Sequence, residues 1–155
     1  MLNPGTSMVW QAHTTVATVV EQDGLFLMVE ENDAGRTVFN QPAGHLEKDE
    51  SIFAGAIRET LEETAWLVEP FALIGIYHYP APNGITYVRF CFAAKTLKEE
   101  PGRILDDGII SAQWLSADTI LDPAFRARSP IVQQCLQDYL TGQRFPLSLV
   151  WHYDP

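Results

Sequence analysis

The chain has 155 residues, of which 46% are hydrophobic and 11% aromatic, and it carries a formal net charge of −10. Its length and apolar content are typical of one globular domain with its own core, which excludes an intrinsically disordered chain. The acidic balance argues against a nucleic-acid polymer as partner but leaves small phosphorylated substrates open, because a bound metal ion can supply positive charge.

The start of the chain lacks the basic and apolar segments of a secretory signal, and no run of eighteen apolar residues follows. The two cysteines, Cys91 and Cys135, have no metal-binding spacing, and Cys91 lies in an apolar strand pattern as a core residue would. We therefore expect no membrane association and a cytoplasmic, reducing location. The sequence leaves the oligomeric state open between a monomer and a homodimer.

The first half of the chain predicts a loose lead-in, a β-hairpin and a short extended segment. Residues 1–10 form the lead-in, and the β-branched residues 13–21 predict a strand. The turn at 22–24 joins this strand to its hairpin partner, residues 25–30. A further extended piece runs through Val38 and Phe39.

The second half predicts a second hairpin, one more strand and two helices. In chain order these are strands 72–79 and 85–95, a polar loop at 98–108, strand 109–115, a short helix capped by Ser116 and a last helix from Ser129-Pro130 to Gly142. With no repeat or linker, residues 1–155 are predicted to be a single α/β domain with a mixed sheet between helical layers. Periodicity leaves the strand order open.

An amphipathic helix is predicted between these halves, ending near Thr64. At about 100° per residue its apolar side gathers Phe53, Ala54, Ile57 and Leu61. Asp49 is the predicted N-cap, with Glu50 in the first turn where the helix dipole favours an anion.

The opposite side of this helix carries three carboxylates within one turn, those of Glu59, Glu62 and Glu63. Such groups repel one another by roughly 0.2–0.5 kcal/mol per i,i+4 pair on a solvated helix. Arg58 can neutralise one of them, and a divalent cation can compensate the rest, because Mg²⁺ and Mn²⁺ prefer oxygen ligands. The alternative is a solvated acidic face with a salt bridge.

The segment in front of the helix, residues 39–45, is a Pro/Gly loop that can bring backbone groups close to the carboxylates. Loop and helix together resemble the Nudix box, Gly-x5-Glu-x7-Arg-Glu-U-x-Glu-Glu-x-Gly-U, in which U is aliphatic. The matching positions are Gly44, Glu50, Arg58, Glu59, Glu62 and Glu63. Three positions depart from the box, namely Thr60, Ala65 and Trp66.

The resemblance implies a Nudix-type α/β/α sandwich that hydrolyses phosphoanhydrides with Mg²⁺, or with Mn²⁺ in its place. In that family's pattern Glu59 and Glu63 are the principal metal ligands, Glu62 is an additional ligand, and the Gly44 region supplies a backbone carbonyl. Glu50 and Arg58 orient Glu59. The catalytic set is then Glu59, Glu62, Arg58 and Glu50, with the general base open between Glu59, Glu62 and a downstream acid.

A narrower resemblance, to the NudJ branch of the family, covers nearly the whole chain. It is carried by residues 40–47, 87–90, 114–117, 128–132 and 141–147. It implies a phosphatase that acts on nucleoside tri- and diphosphates and on the pyrimidine pyrophosphate precursor of thiamine. Two alternatives stay open: a pyrophosphatase for ADP-ribose, dinucleoside polyphosphates or oxidised nucleotides, and a non-catalytic module that senses a nucleotide.

Substrate contacts are predicted from Arg89, Arg36, His45 and Tyr87. Arg89 either clamps a phosphate or forms a cross-strand ion pair. Arg36 either binds a phosphate or is solvated in its loop, and His45 either touches substrate or orders the loop. The ring of Tyr87 either stacks on a heterocycle of the substrate or packs against other side chains of its hairpin. The weaker candidates are Tyr77, His78, Tyr79, Arg126 and Arg128 for substrate, and Glu99, Glu100, Asp106 and Asp107 for a further ligand or base. Gly55 either leaves room for phosphate and metal beside the helix or is tolerated drift.

Overall fold

The computed structural model describes residues 8–154, so most of the predicted lead-in lies outside the described residues. The strands of this part are β1 (His13–Gln22), β2 (Leu25–Asp33), β3 (Arg36–Asn40), β4 (Ala43–His45), β5 (Trp66–Pro80), β6 (Thr86–Glu99) and β7 (Ile109–Ser116). The helices are α1 (Ile52–Thr64), α2 (Ala117–Leu121) and α3 (Pro130–Leu140), and a 3₁₀ turn spans Leu147–Leu149. Between residues 8 and 154, no helix combines the length and the apolarity needed to cross a bilayer.

The strands form one mixed sheet in the order β3-β2-β1-β6-β5, with β4 paired to β1 and β7 paired to β2. The pair β1–β6 is parallel, and the other pairs are antiparallel. The central strand β1 is buried along six successive residues, Val16 among them, because neighbours cover both of its faces. This explains why its sequence is β-branched rather than alternating.

Helices cover both faces of the sheet. On one face α1 packs Ala56 against Val16, Leu73 and Phe92. On the other face α2 and α3 contribute apolar side chains to a larger cluster, which comprises Ile120, Val132, Cys135 and Leu136 together with Ala17, Cys91 and their neighbours. The predicted α/β class with a mixed sheet between helical layers is therefore confirmed.

Both predicted hairpins form, but the strands are longer than the sequence indicated. β5 begins at Trp66 rather than at residue 72, and it accommodates Pro70 at a shift of register against β6. β6 continues into the predicted polar loop as far as Glu99. The loop before the helix contains a short strand, β4, which pairs with β1. Backbone pairing across the sheet extends these segments beyond their local propensity.

The predicted start of α1 is wrong. Ser51 is the N-cap, and its hydroxyl accepts a hydrogen bond from the backbone N–H of Ala54 at 3.0 Å. Asp49 instead adopts a left-handed conformation with φ of 63°, so that Asp49 and Glu50 precede the helix. The end of the helix at Thr64 is confirmed.

The predicted apolar side of α1 is also wrong in part. Ala54 is exposed and Phe53 only half-buried, whereas Ala56, Thr60, Glu59 and Glu63 are buried. The helix is rotated because it presents two of its carboxylates to β4 as well as its small apolar side chains to the sheet.

Two departures from the box sequence have a structural account. The Thr60 hydroxyl lies 2.8 Å from that of Thr18 on β1 and donates to the carbonyl of Ala56 at 2.8 Å, so a polar side chain is satisfied in the core. Ala65 ends the helix in a left-handed conformation, with φ of 63°. That conformation is the reason why the box has glycine at this position.

We expect Thr60→Val to lower the free energy of unfolding by about 1–3 kcal/mol, because the buried Thr18 hydroxyl loses its partner. The double variant Thr18→Val/Thr60→Val should cost less than the sum of the single variants, since both hydroxyls are then gone. Urea denaturation of the four proteins measures this. Strict additivity would show that the two hydroxyls do not interact.

Ala65→Gly should raise the free energy of unfolding by roughly 0.5–1 kcal/mol, because glycine adopts the left-handed conformation without the steric cost that Ala65 pays. Ala56→Gly, inside the same helix, is the matched control and should be destabilising. Thermal denaturation of the two variants beside the parent compares them. A loss of stability in Ala65→Gly would contradict this account of the helix end.

Candidate active site

Three carboxylates converge beside α1. Oxygen atoms of Glu59, Glu62 and Asp106 all lie within 4.8 Å of one another. Glu59 and Glu62 are three residues apart on the helix and so share one side of it. Asp106 arrives from the loop between β6 and β7, where its backbone N–H donates to the carbonyl of Glu62 at 3.1 Å. The structure thus brings Asp106 of the four acidic loop candidates into this cluster.

Glu63 lies beside this acidic cluster (Glu59, Glu62 and Asp106) rather than within it. Its carboxylate is buried and accepts a hydrogen bond from the backbone N–H of Ala43 at 3.0 Å. Burial raises the pKa of Glu63 to about 9, against the opposing effect of the Ala43 hydrogen bond and with help from the charge of Glu59. The predicted ligand Glu63 thus fastens the helix to β4 in this structure, and its role toward a metal stays a prediction.

Arg58 organises the acidic residues of the site. Its Nε and Nη2 donate to the two oxygens of Glu50, both at 2.8 Å, and Nη1 donates to Glu59 at 2.8 Å and to Glu62 at 3.1 Å. Nη2 also donates to the backbone carbonyl of His45 at 3.1 Å. All five guanidinium N–H groups are therefore used. Burial raises the pKa of Glu59, and the hydrogen bond from Arg58 offsets part of this rise. The hydrogen bonds from Arg58 to Glu50 lower the pKa of Glu50.

Two glycines make these contacts sterically feasible. A Cβ on Gly44 would lie 2.2 Å from the carboxyl carbon of Glu59, so a side chain there would displace that carboxylate. A Cβ on Gly55 would lie 2.8 Å from an oxygen of Glu50 and 3.0 Å from Leu46. Gly55 therefore leaves space for the carboxylate of Glu50. This role differs from both roles considered from the sequence, room for phosphate and metal or tolerated drift.

A cleft of about 620 Å³ adjoins β4. All four predicted substrate-binding residues, Arg89, Arg36, His45 and Tyr87, line this cleft together with Gly44. These residues are spread over positions 36–89 of the sequence. Three of them, His45 on β4 and Tyr87 and Arg89 on β6, come together because both strands pair with β1. His45 and Arg89 pair with the same residue of β1, Thr15, and so project on one face of the sheet.

Arg89 lies in the floor of this cleft and is only 6% exposed. Its Nη1 donates to Oε1 of Gln41 at 3.1 Å and its Nη2 to Oδ1 of Asn40 at 3.2 Å. Within residues 8–154 no carboxylate lies within ion-pair distance of the guanidinium. The cross-strand ion pair considered from the sequence is thus absent from the described part of the chain.

The rings of His45 and Tyr87 form one wall of the cleft, and the ring of His13 packs against both. The ring centroid of His13 lies 5.1 Å from that of His45 and 5.8 Å from that of Tyr87, and Nδ1 of His13 is 3.0 Å from Nε2 of His45. Burial, followed by the charge of His13, lowers the pKa of His45. Tyr79 lines the same wall, whereas the Tyr77 hydroxyl donates to Asp138 at 2.7 Å and so fixes α3.

Of the two later arginines, Arg128 lines the cleft and Arg126 does not. Arg128 donates to Glu31 at 2.8 Å and lies 3.9 Å from Asp33, so its charge is compensated by the protein. Arg126 donates to the backbone carbonyl of Thr37 at 3.2 Å. His78, also considered for stacking, is exposed and does not line the cleft.

Gly44→Ala should weaken divalent-metal binding by about 10–100-fold, because the new methyl group displaces Glu59 from its place against β4. Ala43→Gly is the matched control at the neighbouring position, and it keeps the backbone N–H that binds Glu63. Calorimetric titration of both variants with Mn²⁺ measures the affinities. Equal affinity of Gly44→Ala and the parent protein would contradict the close packing described here.

Glu50→Gln should reduce the free energy of unfolding at pH 7 by about 1–3 kcal/mol, because the doubly bonded carboxylate of Glu50 loses its charge. Arg58 lowers the folded-state pKa of Glu50 below its ordinary value of 4.5, so this stability is fully present above that value. It is lost as the pH falls through the folded-state pKa. Urea denaturation between pH 3 and pH 7 should show the two proteins converging at the acid end, and a constant difference would refute the assignment.

Comparison with known proteins places these features in a family. The sequence model for the NUDIX domain matches residues 11–135. The phosphatase NudJ of Escherichia coli K12 is 39% identical over 145 residues, which cover 94% of both chains.

Solved structures give the same result. A NUDIX hydrolase from Nitrosomonas europaea superposes with a TM-score of 0.90 at 44% identity, covering 93% of this chain and 99% of that one. An ADP-ribose pyrophosphatase from Streptococcus suis has a TM-score of 0.65 at 15% identity, covering 87% of this chain and 96% of that one, and this likeness concerns the fold alone.

Proposed function

The chain belongs to the Nudix family and is a hydrolase that acts on pyrophosphate bonds, and from this premise we propose that it is a Mg²⁺-dependent phosphatase of the NudJ kind. Its proposed substrates are nucleoside tri- and diphosphates and hydroxymethylpyrimidine pyrophosphate. The single observation that carries the proposal is the convergence of Glu59, Glu62 and Asp106 within 4.8 Å. Glu59 packs against Gly44, which in turn lines a cleft that a small phosphorylated molecule can enter.

The donor set of this cluster fits a magnesium or manganese ion. All three groups offer carboxylate oxygens, which are the ligands these hard cations prefer. Arg58 provides one positive charge against the carboxylates of Glu59, Glu62 and Asp106, so the cluster keeps a negative balance. When bound, the metal ion offsets negative charge on phosphate oxygens and lowers the pKa of a bound water.

The protein's own part in this reaction is to hold charged groups in place before the substrate arrives. Arg58 keeps Glu50, Glu59 and Glu62 in fixed positions, which lowers the reorganisation needed during phosphoryl transfer. Glu63, bonded to Ala43, ties the helix to the strand that borders the cleft. The general base stays open between Glu59, Glu62 and Asp106.

Other functions stay open as alternatives. A pyrophosphatase of the same fold could instead take ADP-ribose, a dinucleoside polyphosphate or an oxidised nucleotide. A non-catalytic nucleotide sensor is disfavoured because Glu59, Glu62 and Arg58 are all present and connected. The cytoplasmic location and the choice between monomer and homodimer stay predictions.

Phosphate release from a panel of nucleoside tri- and diphosphates, hydroxymethylpyrimidine pyrophosphate and ADP-ribose tests the proposal. We expect activity with Mg²⁺, none in EDTA, and orthophosphate as the released product. Glu59→Gln should lower kcat by about 10²–10³-fold, because one of the converging charged groups is neutralised.

The matched control for Glu59→Gln is Glu99→Gln, which removes the same charge at an exposed position of β6 outside the site. It should retain full activity. Release of pyrophosphate from a nucleoside triphosphate, or of a nucleoside monophosphate from ADP-ribose, would favour the alternative pyrophosphatase. Unchanged turnover in Glu59→Gln would overturn the assignment of this residue.

A further inference from the structure

We infer that Arg89, held in place by Asn40 and Gln41, forms an anion subsite in the floor of the cleft, which binds a phosphoryl group of the substrate other than the one held at the acidic cluster. The inference rests on the proposed function and extends it, because it adds a second and metal-independent point of attachment. It follows from charge, from rigidity and from the position of β4.

The charge of Arg89 has no anionic partner within the described part of the chain. The side chain is 6% exposed, its two Nη atoms donate to neutral amide oxygens, and Nε has no hydrogen-bond partner within residues 8–154. A buried and uncompensated guanidinium costs free energy, and natural proteins seldom retain one without an anion to bind. A phosphate group supplies the negative charge that the guanidinium lacks, and each Nη makes only one of these bonds, so that a second N–H on each is left to donate.

A thiol is the other polar group close to Arg89. Burial raises the pKa of Cys135, but contact with Cys91 and the positive charge of Arg89 lower it, and the net direction is below the ordinary thiol value. A thiolate at Cys135 would be a competing counterion for Arg89. A phosphate carries more charge and arrives through the cleft. If the thiolate is the counterion, phosphate binding should appear only in Cys135→Ser, whereas a phosphate subsite should already bind phosphate in the parent protein.

The three residues of the subsite are held rigidly. Asn40 and Gln41 are almost wholly buried, and Nε2 of Gln41 donates to the carbonyl of Val132 on α3 at 2.7 Å. This bond fixes the Gln41 amide so that its oxygen faces Arg89. A guanidinium already fixed before binding loses little conformational entropy when an anion arrives.

The position of β4 relates this subsite to the acidic cluster. Glu59 packs against Gly44, and Glu63 bonds to Ala43, whereas Arg89 shares a face of the sheet with His45. Among the described residues β4 pairs with β1 alone, so its other edge carries no strand. All three residues of β4 line the cleft with Arg89, so a molecule lying across β4 can present one phosphoryl group to the carboxylates and another to Arg89. The subsite therefore favours substrates with at least two phosphoryl groups.

Binding of inorganic phosphate to metal-free protein in EDTA tests the inference, measured by calorimetric titration at low ionic strength. The parent protein should bind phosphate, and Arg89→Gln should bind it at least 10-fold more weakly. Glu59→Gln should bind it as well as the parent protein or better, because it removes a negative charge from the neighbouring cluster. Arg126→Gln, which removes a positive charge outside the cleft, is the matched control and should be unchanged.

Arg89→Lys is a second variant for use if Arg89→Gln fails to fold. It keeps the positive charge but lacks the planar guanidinium that can donate two parallel hydrogen bonds to a phosphate. It should bind phosphate several-fold more weakly and raise KM for a nucleoside diphosphate more than it lowers kcat. Equal phosphate affinity in the parent protein and in the Arg89 variants would overturn the inference. So would phosphate binding that appears only in Cys135→Ser, since the thiolate would then be the counterion.

The outcome of this test is separate from that of the proposed hydrolase. Metal-free phosphate binding that depends on Arg89 supports the subsite even when every tested nucleotide resists hydrolysis. Conversely, Mg²⁺-dependent turnover with an unchanged KM in Arg89→Lys would uphold the hydrolase and reject the subsite.

Discussion

The guanidinium of Arg58 is the interaction on which the site depends. Its five N–H groups connect a residue before the helix (Glu50), two on the helix (Glu59 and Glu62) and the carbonyl that follows Gly44. Without it, several carboxylates would be confined together with no compensating charge, at a cost that an exposed helix surface would not impose. The same bonds fix where each carboxylate points, so stability and catalytic geometry depend on one side chain.

The surrounding backbone serves this arrangement. Gly44 permits β4 to approach Glu59, and Gly55 leaves room for Glu50, so both positions are set by carboxylates rather than by turns. Burial raises the pKa of Glu63 to about 9 and that of Glu59 above its ordinary value, which shows that acidic groups have been placed where they are costly. Their cost is evidence that the site was not selected for stability alone.

The sequence predicted the features that depend on local spacing. The i, i+3 and i+4 positions of Glu59, Glu62 and Glu63 required one helix, and Ser129-Pro130 and Gly142 marked the ends of the last one. It failed where two local signals compete, as between Asp49 and Ser51 for the N-cap. Asp106 could not be singled out among four loop acids, because a tertiary hydrogen bond to the Glu62 carbonyl selects it.

The edge of β4 separates two regions of opposite charge in one fold. A cluster of carboxylates lies against one side of this three-residue strand, and a buried guanidinium lies in the cleft on the other. The buried carboxylate of this cluster, Glu59, and the guanidinium of Arg89 are each unfavourable to bury alone, and the two are not paired with each other in the structure. Direct pairing of Arg89 with Glu59 would have satisfied both charges within the protein and left neither to bind a metal ion or a phosphate. Keeping the charges apart is therefore what makes the cleft a binding site for a molecule that carries phosphoryl groups.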